Sequence, residues 1–227
     1  MQIIYEDNHL IAINKPAGWL VQGDETRDKP LSEWVKEYIK VRYKKPGDVF
    51  LGVIHRLDRP VSGVVVFART SKALTRMNEL FKDRKVEKTY WAITGTRPDP
   101  LKGHLSHYLL KDPTRNIVKA YDQLGRRTAE AKLAELDYEL MAEIGHNHLL
   151  EVHPITGRPH QIRVQLSKMG WAIKGDVKYG SPAGLEDGSI SLHCRELAFE
   201  HPVKKEQIRI EADPPATQLW KLFKDRY

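Results

Sequence analysis

The pattern of hydrophobic and polar positions along the chain predicts more strands than helices. Residues 2–6 and 10–14 are short apolar runs separated by Asp7-Asn8-His9, a sequence typical of a hairpin turn. Residues 64–68 form an unbroken apolar run, which indicates a strand buried on both faces. Further strands are expected at residues 86–95, 104–110, 116–121, 128–139, 147–153, 190–199 and 206–211.

Four segments favour helices. In residues 31–44, Leu31, Trp34, Val35 and Tyr38 recur at spacings of three and four, so their side chains are expected in the core. The other helices are expected over about 72–84, after Thr156 and from about 216. The 128–139 segment also has the Ala and Glu content of a helix, but a strand is favoured because 147–153 can pair with it across Gly145-His146-Asn147.

The segment after Thr156 combines helix signals with basic residues. Thr156 can cap a helix whose core side would carry Ile162, Leu166 and Met169, and Gly170 would end it. Arginines near the start of this helix lie where the helix dipole already favours an anion, so a nearby carboxylate or phosphate is expected. An ordinary arginine on the helix surface is the alternative interpretation.

Length and composition are those of one domain, or of one large domain in two lobes, expected over residues 1–227. The chain has 227 residues, of which 41% are hydrophobic and 30% are charged, enough for a core and a polar surface. No apolar run reaches membrane-spanning length, so no membrane partner is expected. Cys194 is the single cysteine, which excludes an internal disulfide and favours the reducing cytoplasm.

The net charge favours a polyanionic partner. Lys and Arg outnumber Asp and Glu 37 to 30, which gives a formal charge of +7. A merely basic soluble protein is the alternative. The densest basic patch of the first half lies on the outer side and at the exit of the helix expected at about 72–84. It is either a solvated surface or a surface that faces RNA, and its residues are Arg76, Lys82, Arg84, Lys85 and Lys88.

The polar loop before the buried strand is the candidate for chemistry. Asp58 lies between Arg56 and Arg59, and Pro60 and Gly63 exclude regular structure there. A carboxylate at the mouth of a buried strand is fixed in position by a rigid scaffold. The alternative is that Asp58 only forms a turn.

Several motifs are absent, and their absence narrows the chemistry. The sequence has no GxGxxG, no GxxxxGK[ST], no HExxH and no paired-cysteine zinc signature. His55, His160 and His193 are dispersed, and dispersed histidines are more often structural than metal ligands. No metal and no cofactor are therefore expected, and catalysis would use side chains alone.

Five ordered motifs resemble those of the RluA-type RNA pseudouridine synthases. His55-Arg56-Leu57-Asp58-Arg59-Pro60-Val61-Ser62-Gly63 resembles the signature of the family. The other four are Asn14-Lys15-Pro16-Ala17-Gly18, Lys88-Thr89-Tyr90, Thr156-Gly157-Arg158-Pro159-His160-Gln161-Ile162-Arg163, and Gly175-Asp176 with Tyr179-Gly180. Leu192-His193-Cys194 with His201-Pro202 resembles the ending of the family, so the resemblance covers roughly the whole chain.

The resemblance implies an α+β catalytic fold, with a long mixed, mainly antiparallel sheet, flanking helices and a central RNA-binding cleft. It implies that Asp58 is the catalytic aspartate, that Tyr90 stacks on the target uracil, and that Arg163 pairs with the aspartate. Arg56 resembles the arginine that replaces the flipped nucleotide in the RNA stack. The expected substrate-binding residues are Lys15, His55, Arg56, Arg59, Arg158 and His160.

RNA, either tRNA or rRNA, is thus the expected partner, and a monomer is the default expectation. Many relatives carry a small RNA-binding domain before the catalytic one, whereas here the catalytic pattern starts at Met1. Binding of RNA is therefore expected from the catalytic domain itself. The alternatives are a basic RNA-binding module without catalysis and a glycosidase-like hydrolase, which would normally need a second carboxylate.

Overall fold

The computed structural model describes residues 1–112 and 114–224 of the chain. Within these residues it contains eleven strands and four α-helices, which confirms the α+β class. The strands are β1 (Gln2–Glu6), β2 (Leu10–Lys15), β3 (Gly52–Val53), β4 (Ser62–Ala68), β5 (Glu87–Thr94), β6 (Lys102–Asp112), β7 (Ile117–Tyr121), β8 (Lys132–Ile144), β9 (Asn147–Pro154), β10 (Leu192–Glu200) and β11 (Gln207–Glu211). The helices are α1 (Leu31–Arg42), α2 (Ser71–Lys82), α3 (Gln161–Lys168) and α4 (Gln218–Lys221).

The chain divides into two compact units. The first unit is Met1–Glu87 with Cys194–Pro214, and the second is Lys88–His193 with Pro215–Tyr227. A single catalytic domain over the whole chain stays a prediction. No helix in the described part of the chain is long and apolar enough to cross a membrane.

The first unit is built around β4, whose seven residues are all buried. Its strands follow the order β1-β2-β4-β10, with β3 beside β4 and β11 beside β10. β2 and β4 are antiparallel, with Leu10 opposite Ala68 and Lys15 opposite Gly63. The unbroken apolar run therefore forms a strand that is covered on both faces, as its sequence predicts.

Gly63 at the start of β4 permits a very close approach to the neighbouring backbone. Its φ is +117°, and a Cβ built there would lie 2.2 Å from the carbonyl oxygen of Cys194. No L side chain has room in that position, and the conformation itself favours glycine. This glycine therefore fixes how the strand leaves the loop that carries Asp58.

The strands of the second unit form an antiparallel sheet in the order β5-β9-β8-β6-β7. β8 and β9 form a hairpin that turns at Gly145, where φ is +58°. The predicted strand at 128–139 is thus confirmed, although β8 begins and ends a few residues later. The carboxyl-terminal segment packs onto this unit through a cluster of buried residues, which are Trp91, Ile93, Leu149, Trp220 and Phe223.

The buried face of α1 differs from the predicted one. Leu31, Val35 and Ile39 are buried, whereas Trp34 is 42% exposed. Positions four apart define the buried stripe, so Trp34 lies about 100° away from Val35 around the helix axis. Its ring instead packs 5.8 Å from the ring of Trp19, so the prediction that Trp34 is a core residue is wrong.

The start of α3 also differs from the prediction. The helix begins at Gln161, because His160 has a left-handed backbone with φ of +52°. Thr156 does not cap the helix; its hydroxyl donates to the Oε1 of Gln161 at 2.7 Å. Met169 is exposed rather than buried, whereas Gly170, with φ of +83°, ends the helix as expected.

We expect the substitution Gly63→Ala to destabilise the protein by more than about 3 kcal/mol, because the new methyl group would overlap the backbone of Cys194. The control is Gly47→Ala, where no atom lies within 4 Å of the added carbon. The control should change stability by less than about 1 kcal/mol. Chemical denaturation measures both variants, and equal effects would contradict the close approach.

Candidate active site

The loop between β3 and β4 holds Asp58 in a defined position. Asp58 is half-buried, whereas Leu57 and Val61 on either side of it are buried. The backbone amide of Val61 donates to the carbonyl oxygen of Asp58 at 3.0 Å, which closes a turn. Because the backbone is anchored on both sides, the carboxylate is presented by a rigid segment.

Lys15 lies beneath this loop with no exposed surface. Its Nζ donates to the carbonyl oxygens of Pro16 at 3.1 Å, Trp19 at 2.8 Å and Arg59 at 3.2 Å. Three acceptors match the three N–H donors of an ammonium group. The side chain therefore ties the loop at 16–19 to the Asp58 loop. Contact of Lys15 with the substrate stays a prediction.

Electrostatics couple Lys15 to the residues of the Asp58 loop. Burial lowers the pKa of Lys15 to about 7, while the negative charge of Asp58 raises that pKa and Arg59 lowers it further. The ammonium group is therefore within electrostatic reach of the Asp58 carboxylate.

Arg59 reinforces the connection between the two loops. Its Nε donates to the carbonyl oxygen of Gly18 at 3.0 Å, and the amide of Gly18 donates to the carbonyl oxygen of Arg59 at 2.7 Å. An Nη of Arg59 is 2.7 Å from the carboxylate of Asp28, with both side chains largely exposed. Arg56 is exposed on the other side of Asp58.

His55 has a packing role within the first unit. The backbone amide of Val66 donates to its Nε2 at 3.0 Å, and its ring stacks on Phe81 with centroids 5.1 Å apart. These contacts attach the start of the loop to β4 and α2. Contact of His55 with RNA stays a prediction.

Arg163 lies on α3 in the second unit and is buried. Its Nε donates to Oδ2 of Asp176 at 2.6 Å, and an Nη donates to Oδ1 at 2.8 Å. This bidentate pair confirms that a carboxylate lies near the arginine. Sequence reasoning misses the identity of that carboxylate, because the pattern around Asp176 indicates only a turn within a family motif.

Tyr179 continues the network around Arg163. The guanidinium carbon of Arg163 lies 5.0 Å from the centre of the Tyr179 ring. The backbone amide of Val118 donates to the Tyr179 hydroxyl at 2.9 Å, and Nδ1 of His160 lies 2.6 Å from the same hydroxyl.

Arg158 donates from Nε to the carbonyl oxygen of Leu133 at 3.0 Å. RNA contacts of Arg158 and His160 stay predictions.

Tyr90 lies on β5, opposite Val152 of β9, and is half-buried. Asp58 belongs to the first unit, whereas Tyr90 and Arg163 belong to the second, and their joint action in catalysis stays a prediction.

Among residues 1–112 and 114–224, no group of three or more His, Cys, Asp or Glu side chains could hold a metal ion.

Comparison with known proteins identifies the family. A family model described as RNA pseudouridylate synthase matches residues 9–168. The ribosomal large subunit pseudouridine synthase C of Buchnera aphidicola is 33% identical over 221 residues, which cover 92% of this chain and 66% of the relative. The protein of the same name from Rickettsia felis is 32% identical over 217 residues, which cover 94% and 67%. The chain spans about two thirds of the length of these curated relatives.

Solved structures agree with this comparison. Human RNA Pseudouridylate Synthase Domain Containing 4 has a TM-score of 0.80 at 27% identity, covering 97% of this chain and 91% of that chain. Human RNA Pseudouridylate Synthase Domain Containing 1 has a TM-score of 0.71 at 23% identity, covering 95% and 84%. The fold is that of the pseudouridine synthases. This chain belongs to the RNA pseudouridylate synthase family, which confirms the resemblance of its motifs.

The buried ammonium group makes stability depend on pH. Between about pH 7 and pH 10 the unfolded chain keeps the Lys15 proton that the folded chain releases, so stability should rise with pH. Relative to the variant Lys15→Met, wild-type stability should increase by about 3 kcal/mol over this range. Denaturation at several pH values measures the difference, with Lys36→Met as the exposed control. Parallel curves for the wild type and Lys15→Met would contradict the lowered pKa.

The pair of Arg163 and Asp176 should be important for stability. We expect Asp176→Asn to destabilise the protein by about 3 kcal/mol, because it removes the negative charge from a buried, bidentate ion pair with Arg163. The control is Arg97→Gln, which breaks an exposed ion pair with Glu143 and should cost less than about 1 kcal/mol. The free energy of unfolding is measured for both. A similar small change in the two variants would refute the importance of the buried pair.

Proposed function

We propose that this chain isomerises uridine in RNA to pseudouridine, with Asp58 as the catalytic carboxylate. The observation that carries the proposal is the signature motif around Asp58, which lies on an anchored loop above a buried cation. Membership of the RNA pseudouridylate synthase family supports the reaction class. The curated relatives, which are named as pseudouridine synthases, support it as well.

The reaction breaks the N1–C1′ glycosidic bond, rotates the retained uracil and joins C5 to C1′. C5 loses a proton and N1 gains one, so the reaction is an isomerisation without a redox step. A carboxylate can attack C1′ or remove a proton from the sugar, and in both cases it must be ionised. Lys15 lies beneath the loop, where the charge of Asp58 raises the pKa of the Lys15 ammonium against the effect of burial.

We assign the other two catalytic roles from the resemblance to the family. Arg163 is the cation that pairs with the catalytic aspartate, and Asp176 fixes the plane of its guanidinium. Two of its five N–H donors are used by Asp176. Tyr90 is the platform for the uracil, and Arg56 fills the gap in the RNA stack. An extruded base costs a few kcal/mol of unstacking, which such contacts offset in part.

Ribosomal RNA is the substrate class that we favour, because the relatives are named for the large ribosomal subunit. The Arg59-Pro60 pair resembles relatives that act on tRNA, which makes tRNA the second substrate to test. Arg59, Arg158, His160 and His55 are proposed RNA contacts. A monomer in the cytoplasm, without metal or cofactor, completes the proposal.

Replacing Asp58 with Asn should abolish pseudouridine formation, with a fall in rate of at least about 1000-fold, because the amide cannot act as nucleophile or base. RNA binding and stability should change little. The control is Asp83→Asn, which alters an exposed carboxylate at the end of α2. Pseudouridine is mapped in total RNA from cells that lack the gene and are complemented with each variant.

Three outcomes would contradict the proposal in different ways. Full activity of Asp58→Asn would eliminate Asp58 as the catalytic group. Unmodified RNA with the wild-type chain, together with salt-dependent RNA binding, would indicate a binding module without catalysis. Release of free uracil would indicate a hydrolase.

A further inference from the structure

A second candidate RNA site lies in the first unit, at the opposite end of β4 from Asp58. A cavity of about 400 Å³ lies beside Arg69 and Thr70, which directly follow the strand. β4 has seven residues, so its two ends are about 20 Å apart. The residues that line the cavity include Asn8, Tyr43, Lys45, Phe50, Arg69 and Thr70. A nucleotide in this cavity is therefore not the one that reacts at Asp58.

The cavity combines exposed aromatic rings with cations. Tyr43 is 43% exposed and Phe50 is 48% exposed, which is unusual for rings of this size. Arg69 forms one wall, and its guanidinium carbon lies 4.6 Å from the centre of the Tyr43 ring. Lys45 and its neighbours add positive charge, because the chain carries Lys40, Arg42, Lys44 and Lys45 at the end of α1. Aromatic faces within a basic groove are the features that bind unpaired nucleotides.

The walls are held in place by hydrogen bonds within the protein itself. An Nη of Arg69 donates to Oε1 of Glu6 at 3.1 Å, and the Tyr43 hydroxyl donates to the same carboxylate oxygen at 2.8 Å. The negative charge of Glu6 is therefore paired. The amide of Lys45 donates to the carbonyl oxygen of Lys40 at 3.0 Å, which holds the backbone of Lys45 against the helix end.

We propose that this cavity binds an unpaired nucleotide of the substrate RNA, away from the target uridine. The base would lie against Phe50 and Tyr43, and Lys45 would contact its phosphate. Asp48 also lines the cavity and can accept a hydrogen bond from an exocyclic amine of the base. The inference rests on the proposed function, and it adds a contact through which the enzyme selects its RNA.

The test compares variants of the cavity residues with a control variant that loses one positive charge outside the cavity. Lys45→Ala and Phe50→Ala each remove one proposed contact, and Phe50→Tyr retains the ring. The control combines Lys36→Ala with Val41→Ala on α1, which removes one lysine and one exposed apolar side chain outside the cavity. Thermal unfolding verifies that each variant is folded. The ligands are a short transcript that contains the mapped uridine, total RNA, and free UMP and AMP.

The two contacts should give different signatures. Phe50→Ala should weaken binding of the transcript about tenfold, with an unchanged salt dependence, because it removes stacking. Lys45→Ala should weaken binding and reduce the slope of log K against log salt by about 0.7, because it removes one phosphate contact. Phe50→Tyr and the control should bind as the wild type does. The rate with saturating RNA should be unchanged in all variants, since Asp58 is not altered.

Two results would overturn the inference. The first is equal RNA affinity for the control and both cavity variants. The second is binding of free UMP or AMP that Phe50→Ala abolishes while RNA affinity is unchanged, which would make the cavity a small-molecule site. The proposed function fails on a separate result: the RNA contains no pseudouridine even when the wild-type chain is present. In that case, affinity for total RNA still decides whether the cavity binds RNA.

Discussion

The first unit depends on a lysine side chain whose amino group is fully buried. Moving an ammonium group out of water costs several kcal/mol unless its hydrogen bonds are replaced. Lys15 replaces them with three carbonyl oxygens from two different loops. If either loop moved, a buried donor would lose its acceptor, so the two loops are constrained to one arrangement. Gly63 adds a second constraint, because it brings the start of β4 against the backbone of Cys194. Asp58 directly precedes Arg59, whose carbonyl oxygen Lys15 holds, and Gly63 follows at the start of β4.

The second unit uses a buried cation in a different way. Arg163 is held by the carboxylate of Asp176 through two parallel hydrogen bonds, which fix the guanidinium plane. A lysine could not supply this planar geometry, whereas the compact ammonium of Lys15 suits three carbonyl oxygens from separate residues. The two units thus present different kinds of fixed charge. Catalysis by positioned charges depends on this rigidity. Charged groups that already lie in place do not have to reorganise during the reaction, so no free energy is spent on moving them.

Local patterns in the sequence predict most of the strands. The apolar run of β4 and the β8–β9 hairpin are determined by residues close together in sequence, and both predictions are confirmed. The predictions for Trp34 and for the start of α3 are wrong for a shared reason. The ring of Trp34 packs on Trp19, which lies in a loop. The side chain of Thr156 bonds to Gln161 instead of the helix backbone. Such contacts of single side chains leave no periodic signal.

The candidate site is only partly predictable from the sequence. The motif around Asp58 is contiguous, so its composition alone indicates a candidate for chemistry. The partner of Arg163 lies thirteen residues further along the chain, and its role depends on how α3 and the following turn pack. Lysines are almost never fully buried, so the sequence favours a surface position for Lys15, and only the fold brings three carbonyl oxygens around it. Family resemblance supplies the roles of Tyr90 and Arg163.

The central claim is that Asp58 acts on an extruded uridine. The most direct measurement is an experimental structure of the chain bound to an RNA that contains the uridine found by mapping. We expect this nucleotide to lie outside its stack, with C1′ about 3–3.5 Å from a carboxylate oxygen of Asp58. A uridine that stays stacked, or that is bound with its sugar remote from Asp58, would rule out Asp58 as the group that reacts.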